Sequence, residues 1–306
     1  MSIFQIPFQS LDADGLSDCC RPETEAYTTH LANLILSRRR QYPQWPRDSN
    51  VRNAEAPLRI LDLCSGTGCI PILLHSLLST HIADLQILGV DISPKAIALA
   101  QKNLHRNTTA GNLSPAAHEQ VRFLRADVLG QRRSSVGAGV RTLNDVSDRT
   151  GHGDWDIVIS NPPYISPKSF NKDTARSVRT FEPKLALVPS RAASLTNPSS
   201  REFEVKCSED PGDFFYPSLL ATAERVNAKM LVMEVADMKQ AERVVALMQH
   251  GYGWDGVEIW RDWLDERDQS SVEGEIQEVG GRDVRVCGEG NGRAVVCYRG
   301  CEWIEA

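Results

Sequence analysis

Leu58-Arg59-Ile60-Leu61-Asp62-Leu63-Cys64-Ser65-Gly66-Thr67-Gly68 decides how this chain folds. Leu58 to Leu63 is a short apolar run and reads as a buried strand. Cys64 to Gly68 is a tight turn of small residues. Cys69 to Leu78 follows as an apolar helix, with Pro71 in its first turn, where a missing N–H leaves no bond unmade. Glycines in such a turn let backbone approach a ligand closely, and the free N–H groups of a helix start attract polar or anionic groups. A GxGxxG dinucleotide fingerprint would need a third glycine where Pro71 stands, so that fingerprint is not met.

Outward from this unit, strands and helices alternate. Leu85 to Val90 is a second strand closed by Asp91, and a carboxylate in that place suits ribose hydroxyls. Ser93 then caps a helix opened by Pro94. Residues 105–119 read as a polar loop. Val121 to Ala126 is a third strand, closed by Asp127. Trp155 to Ser160 is a fourth, and it runs into Asn161-Pro162-Pro163-Tyr164. Two consecutive prolines cannot donate to a ladder, so the strand stops there and the Pro162 carbonyl is left outside the sheet. A rigid carbonyl, the side-chain carbonyl of Asn161 and the aromatic face of Tyr164 suit the gripping of a planar NH2 group. Met230 to Val235, Val257 to Trp260 and Arg293 to Tyr298 are further strands, with helices expected over 214–226 and 237–250. Upstream, Pro22 and its acidic neighbours open a helix whose apolar residues Tyr27, Leu31, Leu34 and Ile35 share a face, and Arg38 to Arg40 close it.

Such alternation implies a mostly parallel α/β sheet covered by helices on both faces, with ligands bound outside the carboxyl ends of the strands. Four of those ends carry the glycine turn, Asp91, Asp127 and Asn161. The 306 residues allow one large domain, taken here as 21–306 behind a linker of residues 1–20, with insertions near 131–153, 190–210 and 264–291. The net charge of −6 argues against nucleic acid as the main partner. No apolar run approaches the roughly 20 residues of a membrane helix. The eight cysteines lack paired CxxC spacing, which favours free thiols in a reducing compartment over a zinc site or a disulfide framework. Met1 to Cys20 holds three Asp and no Arg or Lys, unlike a mitochondrial presequence.

This order of motifs resembles a class I (Rossmann-like) S-adenosylmethionine-dependent methyltransferase. More closely it resembles the release-factor glutamine methyltransferases of the HemK/PrmC family. The resemblance rests on Arg21-Pro22-Glu23-Thr24-Glu25, on Asp62 to Gly68, on Asp91-Ile92-Ser93, on Asn161-Pro162-Pro163-Tyr164-Ile165 and on Phe181-Glu182-Pro183. It implies a seven-stranded sheet with an antiparallel last strand. It implies S-adenosyl-L-methionine as cofactor and, as substrate, the glutamine of the Gly-Gly-Gln loop in a peptide-chain release factor. The cofactor set is then Asp62, Cys64, Ser65, Gly66, Thr67, Gly68, Asp91, Ile92, Asp127, Val128 and Asn161. The catalytic set is Asn161, Pro162, Pro163 and Tyr164. The family usually has Gly where Cys64 stands and often Thr where Ser65 stands, and its helical N-terminal recognition domain is absent or reduced to about 20 residues here. The insertions look like those of a eukaryotic member, which implies a mitochondrial location if so and a cytoplasmic one otherwise. The alternatives are an adenine-N6 nucleic-acid methyltransferase using the same NPPY grip and a non-catalytic cofactor-binding subunit. A nicotinamide dehydrogenase stands further off.

Overall fold

Successive residues of the central strands go to opposite sides of one sheet, and each side has its own helices. The computed structural model describes residues 21–41, 57–129, 141–142, 154–189, 210–248, 253–264 and 274–300. In β1 (Leu58–Leu63), Leu58 and Ile60 enter one core while Leu61 and Leu63 enter the other. The same alternation runs through β2 (Leu85–Asp91), β5 (Ile157–Ser160) and β6 (Met230–Glu234). Buried on both faces, these strands carry near-continuous apolar sequence, as parallel sheets require.

The first core is closed by α1 (Pro22–Gln41), α2 (Cys69–Leu78) and α3 (Pro94–Thr109). Tyr27, Leu31 and Ile35 of α1 are fully buried there, at the helical spacing expected from the sequence. The second core is closed by α8 (Tyr216–Arg225), through Leu219, Leu220 and Ala223, and by α9 (Met238–Leu247), through Val244 and Val245. Each fully buried aliphatic side chain stabilises the fold by about 1.5–3 kcal/mol. Between these pairs lie α4 (Ala117–Gln120) and the short helices α5 (Pro167–Lys172), α6 (Arg176–Phe181) and α7 (Lys184–Leu187).

Among the described residues the sheet has ten strands where seven were expected, in the order β4-β3-β2-β1-β5-β6-β10-β7-β9-β8. Here β3 is Val121–Asp127, β4 Arg141–Thr142, β7 Gly256–Trp263, β8 Glu275–Val279, β9 Arg282–Cys287 and β10 Glu289–Tyr298. The seven strands from β3 to β7 in that order form the expected core, and β10 is antiparallel to both its neighbours. The other three strands are additions at the edges.

Two of them lie inside the stretch read as an insertion, 264–291, and give it a structure that the sequence did not suggest. Residues 275–287 are a hairpin turning at Gly280-Gly281, both with positive φ, and β9 pairs with β7. Val284 and Val286 are buried, so their apolar face extends the core. A Gly-Gly pair between alternating apolar residues is a hairpin signal, which the acidic composition of the stretch obscured. The polar loop expected over 105–119 is also corrected: α3 continues to Thr109, because Leu104 prolongs the buried stripe of Ile97 and Ala100. Of the other two expected insertions only 141–142 and 210 fall within the described residues, and 1–20 falls outside them. Cys64, Cys69, Cys287 and Cys297 carry free thiols. Among the described residues no metal-binding cluster and no helix long and apolar enough to cross a membrane is found.

Candidate active site

Strand register brings the site together. β1 and β5 are parallel neighbours with Leu63 opposite Ser160, so Cys64 and Asn161 leave the sheet side by side. The Ser160 hydroxyl donates to the Leu63 carbonyl at 2.7 Å and locks the two strands at their ends. On the other flank β1 pairs with β2, and β2 with β3, which places Asp91 and Asp127 at adjacent strand ends. The expected cofactor residues are thus brought into one row.

The turn after β1 is held by its own chemistry. Cys64, Gly66 and Gly68 all have positive φ, at 62°, 55° and 81°. A Cβ on Gly68 would stand 2.7 Å from the Phe123 ring, whereas one on Gly66 would meet nothing within 4 Å. Gly68 is therefore a packing glycine and Gly66 opens the turn outward. Asp91 ties the turn to β2: one carboxylate oxygen accepts the Gly66 N–H at 2.9 Å, the other the Ser93 N–H at 2.8 Å. Burial raises the Asp91 carboxyl above its ordinary range, while these N–H groups oppose the rise. Each oxygen keeps a second lone pair for a hydroxyl. Asn103 on α3 donates to the Thr67 carbonyl at 3.0 Å and holds the far side of the turn. Ile92 is fixed through its carbonyl by Arg125, and Asp127 accepts the Leu129 N–H beside the buried Val128.

Cys64 occupies a conformation that favours glycine, at a cost of roughly 1–2 kcal/mol for other residues. Burial, then Asp91 and Asp62, push its thiol well above the ordinary range, so it is a protonated packing group. Cys64→Gly is expected to relieve the strain and lose a little packing against the second core. The net gain should be up to about 1 kcal/mol, a rise of roughly 2–4 °C in Tm by calorimetry. An equal or lower Tm would show that the thiol packing outweighs the strain.

Beneath the turn lies Asp62, fully buried. Among the described residues neither of its oxygens has a hydrogen-bond partner, and Ser65 Oγ beside it has none either. Burial pushes this carboxyl up to about 8, Asp91 and Cys69 add to the rise, and the nearby Ser65 hydroxyl tempers it without closing a bond. Buried polar groups are nearly always paired. Two unpartnered ones under an open glycine turn mark a place for a ligand that brings donors, best a cation.

At Asn161-Pro162 no hydrogen bond among the described residues reaches the Asn161 amide or the Pro162 carbonyl. The grip read from the sequence is thus unspent, and Pro163 lies buried behind it. Tyr164 is held firmly. Its hydroxyl donates to Glu234 Oε1 at 3.0 Å and accepts from Arg21 Nη1 at 2.8 Å. Its backbone carbonyl accepts from Gln240 Nε2 at 3.2 Å and presses on Gly212, where a Cβ would come within 2.5 Å. Arg21 also pairs with Glu182 at 3.2 Å, and Thr24 donates to Glu234 Oε2 at 2.8 Å.

Sequence reasoning missed Glu234 and Gln240. The signal for Glu234 was one acid closing the otherwise apolar Met230-Leu231-Val232-Met233. Gln240 carried none, because the groups its side-chain NH2 reaches, the Tyr164 carbonyl and Asp213, are distant in sequence.

The family description "Eco57I restriction-modification methylase" matches residues 85–187. The chain is 33% identical over 193 residues to a Schizosaccharomyces pombe protein named "Probable MRF1 mitochondrial N(5)-glutamine methyltransferase mtq1", covering 62% of this chain and 52% of that one. It is 28% identical over 244 residues to a release factor glutamine methyltransferase of Nitratidesulfovibrio vulgaris, covering 79% and 60%. A ribosomal protein uL3 glutamine methyltransferase of Francisella tularensis matches at 28% over 158 residues, covering 51% and 37%. The chain spans between a third and two thirds of the length of these relatives. The chain is similar to these glutamine methyltransferases over part of its length, and its motifs resemble those of the HemK/PrmC family.

Proposed function

We propose that this chain transfers a methyl group from S-adenosyl-L-methionine to the side-chain amide nitrogen of a protein glutamine, that of the Gly-Gly-Gln loop of a peptide-chain release factor. The observation that carries the reading is the pair of unspent acceptors, Asn161 and Pro162, set directly beside the turn of Cys64 to Gly68.

The residues of the turn fit the cofactor. Asp62 and Ser65 offer buried acceptors for its ammonium group, Gly66 leaves open space, and Asp91 has lone pairs left for ribose hydroxyls. Ile92, Asp127 and Val128 border the adenine side. When bound, the cofactor supplies a methyl on a sulfonium, an electrophile that needs no strong base. An amide nitrogen is a poor nucleophile because its lone pair is delocalised. Asn161 and the Pro162 carbonyl accept its two N–H bonds and favour the pyramidal nitrogen that carries developing charge. Water takes the departing proton. The Tyr164 ring packs beside the amide; its hydroxyl is already committed in both directions and takes no proton.

A release factor is the substrate favoured by the name of the Nitratidesulfovibrio vulgaris relative, and a mitochondrial one if the source is eukaryotic. The match to a restriction-modification methylase is confined to 85–187, and the alternative of adenine methylation is not favoured. The deciding assay uses labelled cofactor with a release factor, the same factor with its loop glutamine replaced, ribosomal protein uL3 and duplex DNA. Label on the intact factor alone supports the proposal. Label on uL3 moves the substrate within the glutamine enzymes, and label on DNA overturns the proposal.

A further inference from the structure

Five side chains from four separate segments form one chain of alternating charge behind the NPPY grip. Glu182, between α6 and α7, pairs with Arg21 at the start of α1. Arg21 donates to the Tyr164 hydroxyl, the hydroxyl donates to Glu234 at the end of β6, and Thr24 of α1 donates to the other Glu234 oxygen. The pattern of donors is self-consistent: Glu234 only accepts, Arg21 only donates, and Tyr164 does one of each. Glu234 is 1% exposed and Thr24 3%, while the Arg21 side chain is 38% exposed at the outer end. Burial works against a charge on Glu234, and Thr24, Tyr27, Arg21 and Tyr164 together oppose that cost. Burial likewise disfavours the Arg21 charge, and Tyr164, Glu182 and Glu234 outweigh it.

A buried charge relay of this kind is a costly way to hold a fold, since well-packed apolar residues of like volume stabilise at least as well. What it supplies is direction. An apolar pocket would leave the Tyr164 ring free to slide, whereas two opposed hydrogen bonds on one hydroxyl set both its depth and its plane. Only two residues separate Tyr164 from Asn161, Pro162 and Pro163, both with fixed φ, so the ring's position is passed along a stiff segment.

We infer that Arg21, Thr24 and Glu234 are positioning residues that set Tyr164, and through it Asn161 and the Pro162 carbonyl, for the acceptor amide. This role rests on the reading of Asn161 and Pro162 as the amide grip. It makes the first turn of α1 part of the active site, and it explains physically why Arg21 and Thr24 accompany NPPY in one chain. None of these three residues touches the reacting atoms.

The test compares Tyr164→Phe, Glu234→Gln and Thr24→Val with the wild type and with Thr24→Ser, which keeps the hydroxyl. Two quantities are read: methyl transfer to the release factor, and hydrogen exchange of the segment 157–166 in the free protein. Misplacement of a grip by a fraction of an ångström should lower kcat roughly 10- to 100-fold. KM for the factor and cofactor affinity should change by less than about threefold, since uniform binding is untouched. Amides of Asn161, Tyr164 and Ile165 should exchange faster, with the central strands unchanged, and Thr24→Ser should restore both quantities. Wild-type kcat and exchange in Tyr164→Phe, which removes one oxygen and nothing else, would overturn the inference even if Glu234→Gln fails to fold. Faster exchange in the variants of a wild type that methylates no glutamine would uphold the positioning chain and overturn the proposed reaction instead.

Discussion

Asn161→Ala is expected to lower methyl transfer by roughly 10²–10³-fold, the loss found when one preorganised group facing developing charge is removed. The side chain is half-buried and makes no hydrogen bond among the described residues, so none of those bonds is lost with it. Thermal stability should accordingly stay within about 0.5 kcal/mol of wild type. Cofactor affinity should hold too, because the acceptors proposed for its ammonium group and ribose are Asp62, Ser65 and Asp91. The checks are single-turnover kinetics for the chemical step and titration calorimetry for the cofactor. A variant that kept wild-type turnover would remove Asn161 from the mechanism. A variant that lost cofactor binding instead would make it a cofactor ligand.

Asp62→Asn is expected to weaken cofactor binding roughly 10- to 100-fold at pH 9, the worth of a charge-assisted hydrogen bond of about 1.5–3 kcal/mol. The pH matters because the free carboxyl sits near 8. At pH 7 most free molecules carry a proton on Asp62, and an incoming ammonium group displaces it. Wild-type binding should therefore release close to one proton at pH 7 and almost none above pH 9. Calorimetry in buffers of different ionisation enthalpy measures that number directly, and the Asn variant should release none. The same shift has a sign for stability. A folded-state value raised above the ordinary 3.8 means the folded protein binds the proton more tightly than the unfolded chain. That contribution is fully present below about pH 4 and lost as pH rises through about 8. The cofactor-free Asn variant should then match wild type in acid and exceed it in Tm at pH 9. Equal Tm values across the range would show that Asp62 titrates normally and has a partner in the folded protein.

Much of the architecture was written in local pattern. The run from Leu58 to Leu78 folds as strand, turn and helix with the bounds its composition predicts, because its apolar residues, small turn residues and Pro71 all ask for the same backbone. Ser93 caps α3 as expected, and Asp237 caps α9, each by a side-chain oxygen that accepts an N–H three residues on. The hairpin at Gly280-Gly281 was not recognised within its insertion because acidic composition was weighed above turn chemistry. The true length of α3 was missed because its polar outer face masked one buried leucine.

The sequence by itself determined which residues could grip an amide and which turn could cradle a cofactor. Residue type dictates donors, acceptors and allowed φ, and those properties travel with the residue wherever it folds. Only the tertiary structure decided what stands next to what. Leu63 opposite Ser160 is a matter of strand register, and it alone makes neighbours of Cys64 and Asn161. Arg21, Tyr164 and Glu234 are separated by 143 and 70 residues along the chain, so no local pattern foretells that one hydroxyl joins them. The ordinary chemistry of Asp62 and Glu234 was equally hidden, since a carboxyl group's charge depends on the water around it, and burial is a property of the whole fold.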